Sequence, residues 1–313
     1  MNLIVDALNI AFRAHHVYDK IQGLKTSEGV PTGLIYGFLK IVAKWHAQHP
    51  HHRVTVVWDR PGGKEWRQAI VPSYKANRPS ATPPDPGAKA DDLLSGPDVD
   101  IFALQVSMLH DILPSLGIDQ ISAANQEADD VIAYLVKDLF AGEQNLILTA
   151  DRDMLQLVTR TDILITPDNK VYDADRVLEE YGVPPERLVQ LRALIGDKSD
   201  NLPGIPRLRK KIAARLVNEF GGVHSLYDQS IEELDLTKNE KAKIASHEDL
   251  VKKNLEVMNL SATAKSVDHL VGSFNENAIN TMCATLEFKT IRKRLLDFNT
   301  QQGFLKNVLY PAD

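Results

Sequence analysis

The sequence predicts an α/β fold with a mainly parallel central sheet flanked by helices. Two observations predict it. Four short runs are apolar almost throughout, as strands buried on both faces are. Between them lie segments with apolar residues at helical spacing, and strand–helix alternation of this kind builds parallel sheets.

Leu3-Ile4-Val5 is the first run and ends at Asp6. Val54-Thr55-Val56-Val57-Trp58 is the second and ends at Asp59. Leu146-Ile147-Leu148-Thr149 is followed closely by Asp151, and Ile163-Leu164-Ile165 is the fourth run. Helices are predicted over residues 33–46, 101–116 and 127–140. The last carries Ala128, Val131, Ile132, Leu135 and Leu139 on one face. The stretch ANRPSATPPDPGAKADDLLSGPD, within residues 75–100, is rich in Pro, Ser, Ala and Gly and has almost no periodicity. It predicts a mobile excursion from the sheet, with a disordered linker as the alternative. From about residue 184 the pattern is helical with short turns and shows no strand. Asp200-Asn201-Leu202-Pro203-Gly204 breaks it. Ile212, Leu216 and Phe220 then recur at helical spacing until Gly221-Gly222 stops the helix. Residues 231–313 are mixed and mostly helical. The expected division is a core over residues 1–183 with the excursion at about 75–105. A helical subdomain over 184–262 and a mostly helical segment over 263–313, packed on the core, complete it.

The 313 residues are 43% apolar and 25% charged, an ordinary globular composition long enough for one large domain or two modest ones. The single cysteine, Cys283, makes no internal disulfide, which points to a reducing compartment. A free cysteine is usually buried, so Cys283 is expected in the core. The N-terminus MNLIVDALNI has no basic region, long apolar run or small-residue cleavage site. No stretch approaches the roughly 18 apolar residues of a membrane span. A soluble cytoplasmic monomer is expected. His15-His16 and the QHPHHR turn read as solvated rather than as metal ligands.

Asp6, Asp59 and Asp151 each lie at or just beyond the C-terminal end of a predicted strand, the edge where ligands bind open parallel sheets. Aspartate also ends strands because it suits turns. Three such residues accompanied by further acids exceed that need. Glu127, Asp129 and Asp130 open a predicted helix; the helix dipole favours one or two acids there, not three in four positions. Glu127 and Asp130 stand at i, i+3 and are expected to share a face, with Asp129 pointing elsewhere. Asp151-Arg152-Asp153 and Asp197-Lys198-Ser199-Asp200 supply further pairs. Carboxylates this dense repel one another. With no cysteine pair and no histidine cluster at ligand spacing, hard oxygen-binding cations are the natural compensation, Mg²⁺ or Mn²⁺. Two such ions about 4 Å apart suit phosphodiester chemistry. The net charge of −6 seems to oppose a nucleic-acid partner, but setting these nine acids aside leaves 33 acidic residues against 36 basic ones.

The motifs VDALN, YKANR, QEADD, LTADRDMLQLV and GDKSDNLPGI resemble, in order and rough spacing, the 5′-nuclease domain of bacterial DNA polymerase I. They also resemble the free-standing bacteriophage 5′ nucleases and, more distantly, the flap endonucleases. The match covers about residues 2–220, and five ordered motifs are far more specific than one. The resemblance implies a PIN-like 5′-nuclease fold with a helical arch and a DNA-binding subdomain of helix-three-turn-helix type. It implies that Asp6, Asp59, Glu127 and Asp129 or Asp130 surround one ion, and Asp151, Asp153, Asp197 and Asp200 the second. Tyr74, Lys75 and Arg78 would start the arch, Lys75 approaching the scissile phosphate while Arg67 and Arg78 grip its neighbours. The Trp66-Arg67 and Tyr74–Arg78 stretches by themselves combine aromatics with cations, which suits backbone binding and base stacking.

Three positions depart from the family pattern. A Gly-apolar-Gly turn after Pro203-Gly204-Ile205 usually meets a phosphate and holds a monovalent cation. Here Arg207-Leu208-Arg209-Lys210-Lys211 stands instead. Arg207, Arg209, Lys210 and Lys211 are therefore expected to bind duplex through side chains, without the usual K⁺ dependence. The arch is richer in Pro and Gly than the family pattern, and Arg60 follows Asp59 where a small residue is usual. The expected activity is hydrolysis of DNA at 5′ flaps and 5′ ends at duplex junctions, by in-line attack of water, leaving a 5′-phosphate. Because the chain ends at Asp313, a free-standing nuclease is expected. A nuclease of the same core acting on RNA or RNA primers is one alternative, separable by comparing RNA–DNA hybrids with flapped DNA. A branched-DNA binder that does not cut is another, though a dense carboxylate cluster repels phosphates and serves a binder poorly.

Overall fold

The computed structural model describes residues 1–49, 53–77, 100–228, 231–260 and 267–298. Seven strands form one sheet: β1 (Asn2–Asp6), β2 (Arg53–Val57), β3 (Asp119–Ser122), β4 (Asn145–Leu148), β5 (Asp162–Ile165), β6 (Val171–Tyr172) and β9 (Asp268–Leu270). Their order is β6-β5-β4-β1-β2-β3-β9. Pairing is parallel from β5 through β3 and antiparallel at the two edges, β6 and β9. The four apolar runs are β1, β2, β4 and β5. The chain runs outward from β1 to β2 and β3, then returns to β4 on the other side of β1. The sheet therefore has its switch point between β1 and β4, where a crevice opens at the carboxyl edge.

The alternation of a strand explains why these runs are apolar at successive positions. Ile4, Val57, Ile121, Ile147 and Leu164 face one core with Val131 and Ile132 of the helix Ala128–Tyr134 and with Leu135 just after it. Leu3, Val5, Val56, Leu148 and Ile165 face the other, against the helices Gly33–Gln48 and Ile101–Ile112. The first core continues without a break into the helices Pro185–Ile195, Lys210–Phe220 and Glu248–Met258 through Leu188, Leu216 and Leu255. The second takes in Ile279, Cys283 and Leu295 from the helices Glu276–Thr285 and Arg292–Leu296. Cys283 is buried, as its chemistry led one to expect.

The pattern after about residue 184 predicts no strand, and the structure corrects this. Besides β9, a two-stranded ribbon pairs β7 (Gly196–Asp197) with β8 (Leu202–Pro203). Its strands are too short to carry any alternation. What makes the ribbon is glycine: a Cβ on Gly204 would lie 2.1 Å from the Ile195 carbonyl carbon, and one on Gly196 2.3 Å from the Gly204 nitrogen. Only glycine permits that approach. The ribbon carries Asp197 and Asp200 on its turn. The expected arch lies mostly outside the described residues, as do Arg78, His51, His52 and residues 299–313.

Candidate active site: a carboxylate cluster at the switch point

Asp6 ends β1 and caps the helix Ala7–Ala14, its Oδ1 accepting from the Asn9 amide at 3.3 Å. Its Oδ2 accepts from the Thr149 hydroxyl at 2.7 Å, and the same Thr149 oxygen accepts from the Asp151 amide at 3.0 Å. Thr149 thus holds Asp6 and Asp151 together across the switch point. Asp151 in turn accepts from the Asp153 amide at 2.8 Å. Asp59 accepts from the amide of Ala128, the first residue of its helix, at 3.1 Å. Glu127 precedes that helix and takes three donors: Arg67 at 2.8 Å, Tyr74 at 2.9 Å and Lys75 at 2.5 Å. On the ribbon, Asp197 accepts from the amide and hydroxyl of Ser199 at 2.7 and 2.6 Å. Carboxylate oxygens of Asp153, Asp197 and Asp200 lie within 4.8 Å of one another.

The electrostatics are those of acids crowded away from water. Burial, together with the charges of Asp59 and Asp151, pushes the Asp6 carboxyl up to about 7. Burial and Asp151 push Asp153 to about 7 as well. Asp59 is raised chiefly by burial, and Asp129 well above its usual range by burial and by Asp151. Burial opposes ionisation of Glu127 too, but Lys75 and Arg67 outweigh it and hold this carboxyl low. Burial likewise works against Asp197, where Ser199 and Arg192 prevail and lower it.

Eight of the nine expected acids converge here, and Asp130 does not. The helix begins at Ala128 with Glu127 in extended backbone, φ −77° and ψ 154°. Glu127 and Asp130 nonetheless lie together, as the i, i+3 spacing led one to expect, both accepting from Arg67 Nη1 at 2.8 Å. Asp129 is the residue that feels Asp151, Asp6 and Glu127. Asp130 turns away to a bidentate pair with Arg67, at 2.7 and 2.8 Å. That also corrects the expectation that Arg67 grips phosphates. Arg67 is 1% exposed, and its remaining donors reach Glu127 and the Val257 carbonyl. Breaking such a buried pair typically costs about 3–5 kcal/mol. Tyr74 is also buried, its hydroxyl spent on Glu127. Lys75 lies beside Glu127, with its backbone left-handed at φ 53°.

Sequence reasoning missed Thr149 and Arg192. Arg192, from the helix Pro185–Ile195, lies 2.6 Å from Asp153 and also pairs with Asp197. Its only sequence signal is a basic residue five positions before Asp197. Arg60 pairs with Asp268 of β9 at 3.5 Å. Arg207, Arg209, Lys210 and Lys211 stand exposed around the start of the helix Lys210–Phe220. Arg207 has a left-handed backbone, φ 60°.

The donor set fits a hard divalent cation: it consists of carboxylate oxygens, with no histidine or thiol among the eight residues. The sequence family described as 5′-3′ exonuclease, N-terminal resolvase-like domain, matches residues 1–182, and its C-terminal SAM-fold partner matches residues 183–275. The chain belongs to the 5′-3′ exonuclease family. It is 33% identical over 225 residues to the 5′-3′ exonuclease of Aquifex aeolicus, covering 71% of each chain. It is 33% identical over 258 residues to the thermostable DNA polymerase I of Thermus thermophilus, covering 82% of this chain and 28% of that one. This 5′-3′ exonuclease family member thus spans under a third of that polymerase. Among solved structures, the T5 D15 protein matches over 100% of both chains with a TM-score of 0.64 at 20% identity. Flap endonuclease-1 of Methanococcus jannaschii matches over 95% of this chain and 91% of its own, with a TM-score of 0.58 at 13% identity. These likenesses establish the fold that the resemblance implied.

Proposed function

We propose that the chain is a divalent-metal-dependent 5′ nuclease that hydrolyses DNA at 5′ flaps and at 5′ ends of duplex junctions, using two Mg²⁺ or Mn²⁺ ions. One observation carries the reading: eight carboxylates meet at the sheet's switch point, and the cations placed against them among the described residues are Lys75, Arg192 and Arg67, the last shared with Asp130. The remaining negative charge calls for bound cations. Asp6, Asp59, Glu127 and Asp129 would hold one ion; Asp151, Asp153, Asp197 and Asp200 would hold the other. When bound, the ions supply the charge stabilisation and water activation that phosphodiester hydrolysis needs.

The chain's own residues do the rest. Thr149 and Asn9 aim Asp6, and the amide of Ala128 aims Asp59. Tyr74 and Arg67 fix Glu127 so that its Lys75-facing oxygen stays at the cluster. Lys75 brings a positive charge to the place a scissile phosphate must occupy. The basic turn at 207–211 takes the duplex. Solved relatives are consistent with this: the T5 5′-exonuclease binds divalent metal ions, and the T5 flap endonuclease and the Rad2 catalytic core form complexes with DNA.

The test is cleavage of 5′-end-labelled DNA bearing a single-stranded 5′ flap, with Mg²⁺ and with EDTA. Release of a flap-sized fragment that needs the metal is expected. Asp151→Ala should abolish it while DNA affinity stays equal or rises, because negative charge is removed. Full activity in that variant would sink the two-ion reading.

A further inference from the structure

The helix Glu248–Met258 bears none of the eight carboxylates, yet its last turn touches three of the segments that do. Asn254, buried in the helix interior, donates from Nδ2 to the carbonyls of Ala193 at 3.2 Å and Pro203 at 2.8 Å. Those two carbonyls flank the ribbon that carries Asp197 and Asp200. The Val257 carbonyl accepts from Arg67 Nε at 2.8 Å, and the same guanidinium holds Glu127. The Met258 carbonyl accepts from Gln156 Nε2 at 3.0 Å, and the Leu260 amide donates to Gln156 Oε1 at 3.0 Å. Gln156 Nε2 also donates to the carbonyl of Asp153 at 3.0 Å.

The last carbonyls of any helix lack partners within it. Here two of them, on Val257 and Met258, are taken by side chains that reach back to the carboxylates. Asparagine is a poor choice for a buried helix interior, where leucine packs better and asparagine favours caps and turns. Its two donors are the reason it fits: both meet main-chain oxygens at the two ends of one acidic turn. Repulsion between the carboxylates pushes these segments apart, so something must set their spacing against it.

We propose that residues 254–260 set the spacing of the metal-binding segments, with Asn254 and Gln156 as positioning residues. The proposal rests on the metal-centre reading above. Asn254 fixes the Asp197–Asp200 turn, Gln156 fixes the Asp153 segment, and Arg67 ties Glu127 to the same helix end. All three are referred to one rigid element, so the two halves of the cluster keep a fixed separation.

The experiment titrates Mn²⁺ into the full chain and follows free Mn²⁺ by electron paramagnetic resonance, alongside circular dichroism and steady-state flap cleavage. Asn254→Leu keeps the branched shape of the side chain, improves helix propensity and removes both donors. The expected result is Mn²⁺ binding weaker by about 10–100-fold, the range for residues that orient metal ligands. Native circular dichroism and lowered kcat with little change in KM for DNA should accompany it. If Asn254→Leu does not fold, Gln156→Ala tests the same idea from the half-buried Asp153 side. A folded variant that loses thermal stability but binds Mn²⁺ as wild type does would overturn the proposal. Wild type that binds no Mn²⁺ would overturn the metal-centre reading itself.

Discussion

Asp6 shows what a single carboxyl does to the molecule without metal. Its folded pKa is about 7 because burial and its acidic neighbours penalise the charged form. In an unfolded chain the value is about 3.9. The folded state therefore binds more protons between those values, and stability from this group is full below about pH 4 and lost as pH rises through 7. Asp6→Asn should raise the melting temperature in EDTA by a few degrees at pH 8, with the gain fading toward pH 4. A gain independent of pH would mean that charge is not the cause. Lys75 is the opposite case, a buried cation on Glu127. Lys75→Ala should lower kcat by about 10²–10³-fold, the usual loss for a removed electrostatic stabiliser, with DNA affinity nearly unchanged. A pure affinity loss would make Lys75 a phosphate anchor instead. At this scale the sequence drew out the acids but not which way they face. Asp129 and Asp130 differ by one position, and what separates them is that Asp130 is held by Arg67 while Asp129 lies near Asp151 and Asp6. The partners that aim the acids were not legible either, because Thr149, Arg192 and Asn254 look like ordinary strand and helix residues until the fold brings them near.

Elements were legible where both faces are buried. β1, β2, β4 and β5 are apolar on either side and stood out as runs. β3 did not, because Asp119-Gln120-Ile121-Ser122 is polar. Its side chains are instead spent on Trp58 through Gln120, and on the Gly272 amide through Asp119. The ribbon of β7 and β8 could not be read either, since backbone contact between Gly196 and Gly204 leaves no periodic trace. That contact is open to test. Gly204→Ala should push the ribbon off Ile195, lower the melting temperature and strongly reduce cleavage. A variant with wild-type stability and activity would show that the neighbouring backbone yields without cost.

For the molecule as a whole, net charge says little about its partner. The formal charge is −6, yet eight acids are gathered at one crevice while Arg207, Arg209, Lys210 and Lys211 lie exposed around the start of the helix Lys210–Phe220. Neutralising the four basic residues together should weaken duplex binding and flatten its dependence on salt concentration, each lost phosphate contact reducing the slope by about 0.9. An unchanged slope would remove this surface from the interface. K⁺ at constant ionic strength should have no effect, because side chains replace the glycine turn. No helix among the described residues is long and apolar enough to cross a membrane.

Two further hydrogen bonds, one from a main-chain amide and one from a side-chain amide, join residues 73–75 to the turn at 200–201. The amide of Lys75 donates to the Asp200 carbonyl at 2.8 Å, and Asn201 donates to the Ser73 carbonyl at 2.8 Å. Whatever displaces residues 73–75 must therefore pull on the turn that carries Asp197 and Asp200. Thermodynamic linkage then demands reciprocity. If filling the carboxylates with cations favours one arrangement of residues 73–75, a DNA strand that selects this arrangement must tighten the cations by the same factor. On the proposed function, metal and substrate would then be mutual effectors through two hydrogen bonds, and neither affinity would have a single value without stating the concentration of the other.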